Sequence, residues 1–336
     1  MVDLLDKPGS AQPWVFAISP RNHDTRTAWR EIDATIGLAD SYGFTGILAH
    51  TGNDTLVNPW LVGQHALAMS QRLRPLIAVN PVYHHPFAVA QFVSSLSYCY
   101  GRGLFLNFVA GTSIPDRLAL GDDVDHDLRY ARLSEYGAIV LRLLESSAPI
   151  DVTGEFYGLS RARLPQPTTP ESRPVAFVAG QSPAARHCAE TLAAVRIQLL
   201  SPGVPADGDG LGMYGGLIVR ETVEEAWRVA LLRYPTDDGL ERAAASALRY
   251  TDAVWRRAAF AATVDGTDTP PWFWTGPMRS MRADCPFLVG DVETLAGVVA
   301  AHRRAGVTSF IFDLAPEETD FAWAARMLER ADKLLT

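Results

Sequence analysis

Short, almost wholly apolar runs recur eight times along this chain, and with one exception each is followed by a loop and then a stretch of helical period. The clearest is Leu104-Phe105-Leu106-Asn107-Phe108-Val109-Ala110-Gly111. It is short enough for a strand and too uniformly apolar for either face to meet water, so it reads as a strand buried on both faces. Similar runs lie at 13–19, 46–50, 76–80, 175–180, 195–200, 214–219 and 309–314. Helical stretches at 27–42, 59–72, 87–98, 127–144, 183–193, 221–232, 292–305 and 319–335 alternate with them, joined by a further helical segment at 240–262. Strand, loop and helix in repetition specify parallel strands with right-handed crossovers. Eight such strands close naturally into a (β/α)8 TIM barrel, a single domain over 1–336.

The irregularities fall in the second half. A proline-rich excursion at 151–174 follows the fourth helix, with a short hairpin predicted at 154–159. The segment 201–211 is rich in Gly, Pro and Asp and too short and broken for a sixth helix, so that helix is expected to be missing or shortened. An insertion precedes the eighth strand, and its Thr/Pro/Trp-rich part at 263–286 is a candidate lid loop.

A formal net charge of -8 and the lack of any Lys/Arg-rich run argue against a nucleic-acid or membrane-surface partner. No apolar run approaches about 18 residues, the length that spans a bilayer. The chain's start lacks the pattern of a signal peptide, and three scattered cysteines suit a reducing cytoplasm.

In a barrel of this type the C-terminal ends of the strands carry the chemistry. Asn107 stands there inside an apolar run, and a buried amide needs partners. It either ties neighbouring loops together or points into a ligand site. Gly180-Gln181-Ser182 joins a strand directly to a helix N-terminus, where small residues and free N–H groups favour an anion such as phosphate; Ser182 as a plain helix cap ahead of Pro183 is the other reading. His50 ends the second strand and suits either a structural hydrogen bond or proton transfer. Arg279 and Arg282, in the aromatic segment before the eighth strand, are surface arginines or a pair that closes over an anionic substrate. His84-His85 lacks metal-ligand spacing, no acidic or cysteine set completes a shell, and no metal site is expected. Gly-x-Ser-x-Gly and dinucleotide fingerprints are absent from their required contexts.

Taken together, 73–79, 95–111, Arg129-Tyr130-Ala131, Val152-Thr153-Gly154-Glu155-Phe156-Tyr157, Ala179-Gly180-Gln181-Ser182, 219–227, Leu288-Val289-Gly290 and Ala305-Gly306-Val307 resemble the bacterial luciferase-like flavin monooxygenases in order over nearly the whole chain. Within that family the resemblance is greatest to the alkanesulfonate monooxygenases. It implies a two-component monooxygenase that takes reduced FMN (FMNH2) from a separate NAD(P)H:flavin reductase. It also implies that O2 forms a flavin C4a-(hydro)peroxide, from which one oxygen atom passes to a small organic substrate. By position it implies that Asn107, Ala110 and Tyr130 contact the flavin and Gly180, Gln181 and Ser182 its phosphate. His50, with Arg279 and Arg282, is the expected catalytic set, and a homo-dimer or tetramer the expected assembly.

Four departures separate the chain from the sulfonate enzymes. Their second-strand cysteine falls near Thr55, the arginine and histidine of their seventh strand at Tyr214 and Gly216, and their last tyrosine at Ala315; the sixth helix is missing. Sulfonate is therefore not carried over as the substrate. Two further readings of the barrel are a non-catalytic flavin-binding protein whose open flank at 201–211 receives a partner, and a deazaflavin (F420)-dependent oxidoreductase.

Overall fold

The computed structural model describes residues 12–111, 113–206, 208, 210–235, 238–247, 251 and 269–336. In chain order it begins β1 (Trp14–Ile18), α1 (Ala28–Ser41), β2 (Gly46–Ala49), α2 (Pro59–Met69), β3 (Leu76–Val79), α3 (Pro86–Tyr100) and β4 (Phe105–Phe108). It continues α4 (Ile114–Ala119), α5 (His126–Glu145), β5 (Ile150–Thr153), β6 (Gly158–Ala162), β7 (Val175–Ala179), α6 (Pro183–Thr191), β8 (Val195–Leu199) and β9 (Leu211–Arg220). It ends α7 (Val223–Arg233), α8 (Asp238–Ala247), β10 (Phe273–Trp274), α9 (Gly276–Arg279), β11 (Phe287–Asp291), α10 (Val292–Arg304), β12 (Ser309–Asp313) and α11 (Glu318–Lys333).

Eight of these strands, β1-β2-β3-β4-β7-β8-β9-β12, pair in parallel and close on themselves through β12 and β1. The (β/α)8 barrel is therefore the observed fold. Local sequence places the helix starts: α2, α3 and α6 open at a proline, preceded by Asn58, His85 and Ser182, whose side chains accept from the N–H groups of Trp60, Phe87 and Ala185. Between β8 and β9 no helix forms among the described residues. The outward side chains of β8, Arg196 and Gln198, are half-buried polar groups, and the loop that replaces the helix packs back on α10 through the Gly208 N–H and the Ala305 carbonyl. That flank closes with its own polar residues and loop, so the missing helix does not by itself call for a partner.

Several elements lie outside the expected rhythm. The hairpin is β5 and β6 with its turn at 154–157, longer than 154–159, and Glu135 on α5 accepts from the N–H groups of Glu155, Phe156 and Tyr157 to hold it. β9 starts three residues earlier than expected and runs past the barrel. It pairs with β8 up to Tyr214 and with β11, an unforeseen strand, from Gly216. The exchange needs glycine: a Cβ at Gly216 would lie 2.3 Å from the Phe287 ring. The long helical segment is seen as α8, and its continuation to 262 lies outside the described residues apart from Thr251.

The barrel interior is layered. Trp14, Phe16, Phe105 and Phe177 fill the lower part in edge-to-face and tilted contacts with centroids 5.0–6.0 Å apart. Because inward side chains recur every second residue, the residues two further along β4 and β7, Asn107 and Ala179, stand directly above this plug. No helix among the described residues is long and apolar enough to cross a membrane.

Candidate active site

Above the plug the inward layer of Leu48, Ala78, Asn107, Ala179, Ile197, Tyr214 and Ile311 forms the floor of a cavity of about 240 Å³ at the C-terminal mouth. His50, Ala110, Tyr130, Arg117, Arg21 and Asp284 are among its walls. A second cavity of about 450 Å³ adjoins it and shares Arg21, His50, Thr51, Gly52, Ser113, Asp116 and Asp284. Its further lining is mixed, with Ile32, Val57, Val62 and Met281 beside Asn22, His23, Asp54 and Thr55.

Four residues expected from the sequence thus meet in one cavity: His50, Asn107, Ala110 and Tyr130. Asn107 is 6% exposed, and its Oδ1 is buried with no hydrogen-bond partner. An orphaned acceptor in a floor it shares with Leu48, Ala78, Ala179, Ile197 and Ile311 leaves a place for a donor from a bound group. His50 holds its Nδ1 2.9 Å from Ser19 Oγ. Burial, with the neighbouring Arg21 charge, pushes its pKa down to about 4, so the imidazole is neutral at physiological pH.

Gly180-Gln181-Ser182 sits behind the cavity wall and does not line it. The Tyr130 hydroxyl donates to the Ala179 carbonyl at 3.0 Å and packs over Gly180, whose φ of +144° and crowded surroundings admit no side chain; a Cβ there would lie 2.4 Å from Tyr130 Oη. Ser182 Oγ accepts from the Ala185 N–H, the capping role. The free N-terminus of α6 nonetheless opens at this turn, beside Tyr130.

Arg279 and Arg282 do not reach either cavity. Arg279 pairs with Glu241 of α8 at 2.6 Å, and Arg282 is exposed. The cation that does reach both cavities is Arg21, from the loop after β1. It pairs with Asp284 at 2.5 Å, and Asp284 also accepts from the Tyr214 hydroxyl at 2.5 Å. Part of the candidate lid, 269–286, therefore contributes Asp284 to the wall, and its 263–268 lie outside the described residues. At the end of β12 Asp313 is pushed up to about 6 by burial, against the pull of Arg21.

Sequence reasoning also missed Arg117 and Arg129. Arg117 donates to the carbonyls of Asp122 and Val124, Arg129 to that of Val124, and Arg132 makes two bonds to Asp122 at 2.8 and 2.9 Å. Three guanidinium groups thus gather on the 122–124 turn near Tyr130, with Arg132 paired to the Asp122 carboxylate. A signal was present: Arg129, Leu133, Tyr136 and Val140 share one face of α5, which places Arg129 on its buried stripe.

The model of the luciferase-like monooxygenase family matches residues 14–198, more than half of the chain, and the chain belongs to that family. With the family come its flavin dependence and monooxygenase chemistry; the non-catalytic reading of the barrel falls away. BtrO of Niallia circulans, a 4-(gamma-L-glutamylamino)butanoyl-[BtrI acyl-carrier protein] monooxygenase, is 28% identical over 310 residues, covering 87% of this chain and 88% of its own. Two solved structures share the fold. One is the oxygenating constituent of 3,6-diketocamphane monooxygenase from Pseudomonas putida in complex with FMN, with a TM-score of 0.66, 17% identity and coverage of 96% of this chain and 97% of its own. The other is an F420-dependent secondary alcohol dehydrogenase, with a TM-score of 0.65, 13% identity and coverage of 95% and 99%. These relatives do not show specificity for an alkanesulfonate.

Proposed function

We propose that the protein is a two-component monooxygenase that takes FMNH2 from a separate NAD(P)H:flavin reductase and uses O2 to oxygenate a small organic substrate. The observation that carries this reading is the orphaned Asn107 Oδ1 in the otherwise largely apolar floor of the cavity. A reduced flavin ring carries N–H groups along one edge, and Asn107 is placed to accept from one of them. Ala78 and Ala110 leave room for a flat ring, and Tyr130 borders it. The phosphate belongs at the N-terminus of α6, in the turn at Gly180 beside Tyr130.

When bound, reduced flavin supplies the electrons that activate O2. The chain's own residues do the rest. The floor and the wall through Asp284 keep bulk water from the reacting face. His50, uncharged at neutral pH, exchanges a proton or hydrogen bond at the boundary of the two cavities. The second cavity, whose mixed lining includes Ile32, Val57 and Val62, is the room left for the organic substrate. Arg21 is already neutralised by Asp284 in that wall, which agrees with a substrate that is not a sulfonate.

Self-association accompanies this reading. Neither α2 nor α3 contains a Lys, Arg, Asp or Glu, and Leu61, Met69, Phe92 and Tyr98 are exposed on them, a surface suited to a second copy of the chain. Anaerobic titration with FMNH2 and with reduced deazaflavin tests the cofactor. Saturable binding of FMNH2 in preference to the deazaflavin is the expected result, and the reverse preference replaces the oxygenase by a hydride-transfer enzyme.

A further inference from the structure

Ser19 and His50 follow the first and second barrel strands side by side, and their side chains meet with Oγ and Nδ1 2.9 Å apart. Ser19 is 3% exposed, and its backbone N–H donates to the Leu48 carbonyl at 2.8 Å, so the hydroxyl is fixed by the sheet ladder. Among the described residues neither side chain has another hydrogen-bond partner.

Two proton arrangements fit this contact. If Nδ1 donates, the buried serine proton has no acceptor, an arrangement that folded proteins avoid. If the serine donates, its proton is satisfied and the ring proton sits on Nε2. The ring carries only one proton at neutral pH, since burial and Arg21, with His23, outweigh the opposing pull of Asp284 and Asp54. The Nδ1 edge is taken by Ser19, and His50 lines both cavities, so the Nε2 edge is the one left for a ligand.

We propose that Ser19 is a positioning residue that holds His50 as its Nε2–H tautomer, so that the boundary of the two cavities carries a neutral hydrogen-bond donor and not a base. Such a donor fits an oxygen atom that gains negative charge during reaction. The catalytic use of the donor rests on the monooxygenase reading; the tautomer does not.

Nitrogen-15 NMR of the ligand-free protein with labelled histidine tests it, with His50→Gln identifying the resonance. The wild type is expected to show a protonated Nε2 and a bare Nδ1 at neutral pH. Ser19→Ala is expected to average the two nitrogens and lower turnover at least about tenfold, while Ser19→Thr restores both. A proton on Nδ1 in the wild type, or an unchanged tautomer in Ser19→Ala, overturns the assignment. Should Ser19→Ala not fold, the wild-type spectrum alone decides. An intact Nε2–H signal in a protein that does not oxygenate with FMNH2 would uphold the tautomer and reject the oxygenase reading.

Discussion

The Tyr214 hydroxyl donates to Asp284 across 2.5 Å, tying the seventh barrel strand to the segment that precedes β11. The same carboxylate holds Arg21, so one residue joins two loops and a barrel strand around the mouth. The Arg21 pair is more than a third exposed on the arginine side and contributes little by itself. The Tyr214 contact is part-buried, and there the carboxylate's charge strengthens the bond. Asp284→Ala should cost roughly 2 kcal/mol, most of it from the unpaired Tyr214 hydroxyl. Thermal unfolding of the variant checks this, and a melting point equal to that of the wild type removes Asp284 as the tie.

Asn107 trades stability for binding. Replacing it by Leu deletes an acceptor that has no partner, so the ligand-free protein should lose no stability and gain up to about 1 kcal/mol. The same change should weaken FMNH2 binding by about tenfold or more, one hydrogen bond at a buried acceptor. Chemical denaturation and anaerobic titration measure the two effects separately. A less stable ligand-free protein with unchanged affinity would make Asn107 a structural residue.

Asp313 gives a pH dependence of defined sign. Its folded pKa, about 6, lies above the ordinary aspartate value, so the unfolded chain loses this proton first and folding is penalised as pH rises. The penalty is absent below about pH 4, grows between there and about pH 6, and is complete above. Asp313→Asn should therefore be more stable than the wild type at pH 8, with the difference closing on acidification. Urea denaturation of both proteins across that range measures it; a constant difference would place the carboxylate in water.

Gly180→Ala probes the phosphate end. The added Cβ forces the turn away from Tyr130 and displaces the start of α6. FMN affinity should fall by more than about tenfold, and riboflavin affinity, with no phosphate to lose, should fall less. Equal losses for the two ligands would separate the phosphate from this turn.

The barrel was legible because buried parallel strands write themselves as apolar runs, and because Asn58-Pro59, His85-Pro86 and Ser182-Pro183 mark helix starts. Asn107, Ala110, Tyr130 and His50 were placed in one site by strand ends and family resemblance. β11 was missed because 287–291 runs straight into α10 with no turn between them. Arg21 was missed because a polar loop residue carries no periodicity; its role comes from Asp284, far along the chain. Arg279 and Arg282 show the converse: an aromatic loop suggested a clamp, but partner choice depends on α8, and Glu241 holds Arg279 away.

The central claim is most directly tested by loading the protein anaerobically with FMNH2 and mixing it with O2, following flavin reoxidation by absorbance beside free FMNH2. Saturable binding is expected, with a reoxidation course that differs from that in buffer and is slower in the wild type than in Asp284→Ala. Absence of binding, or reoxidation at the rate seen in buffer, would contradict it.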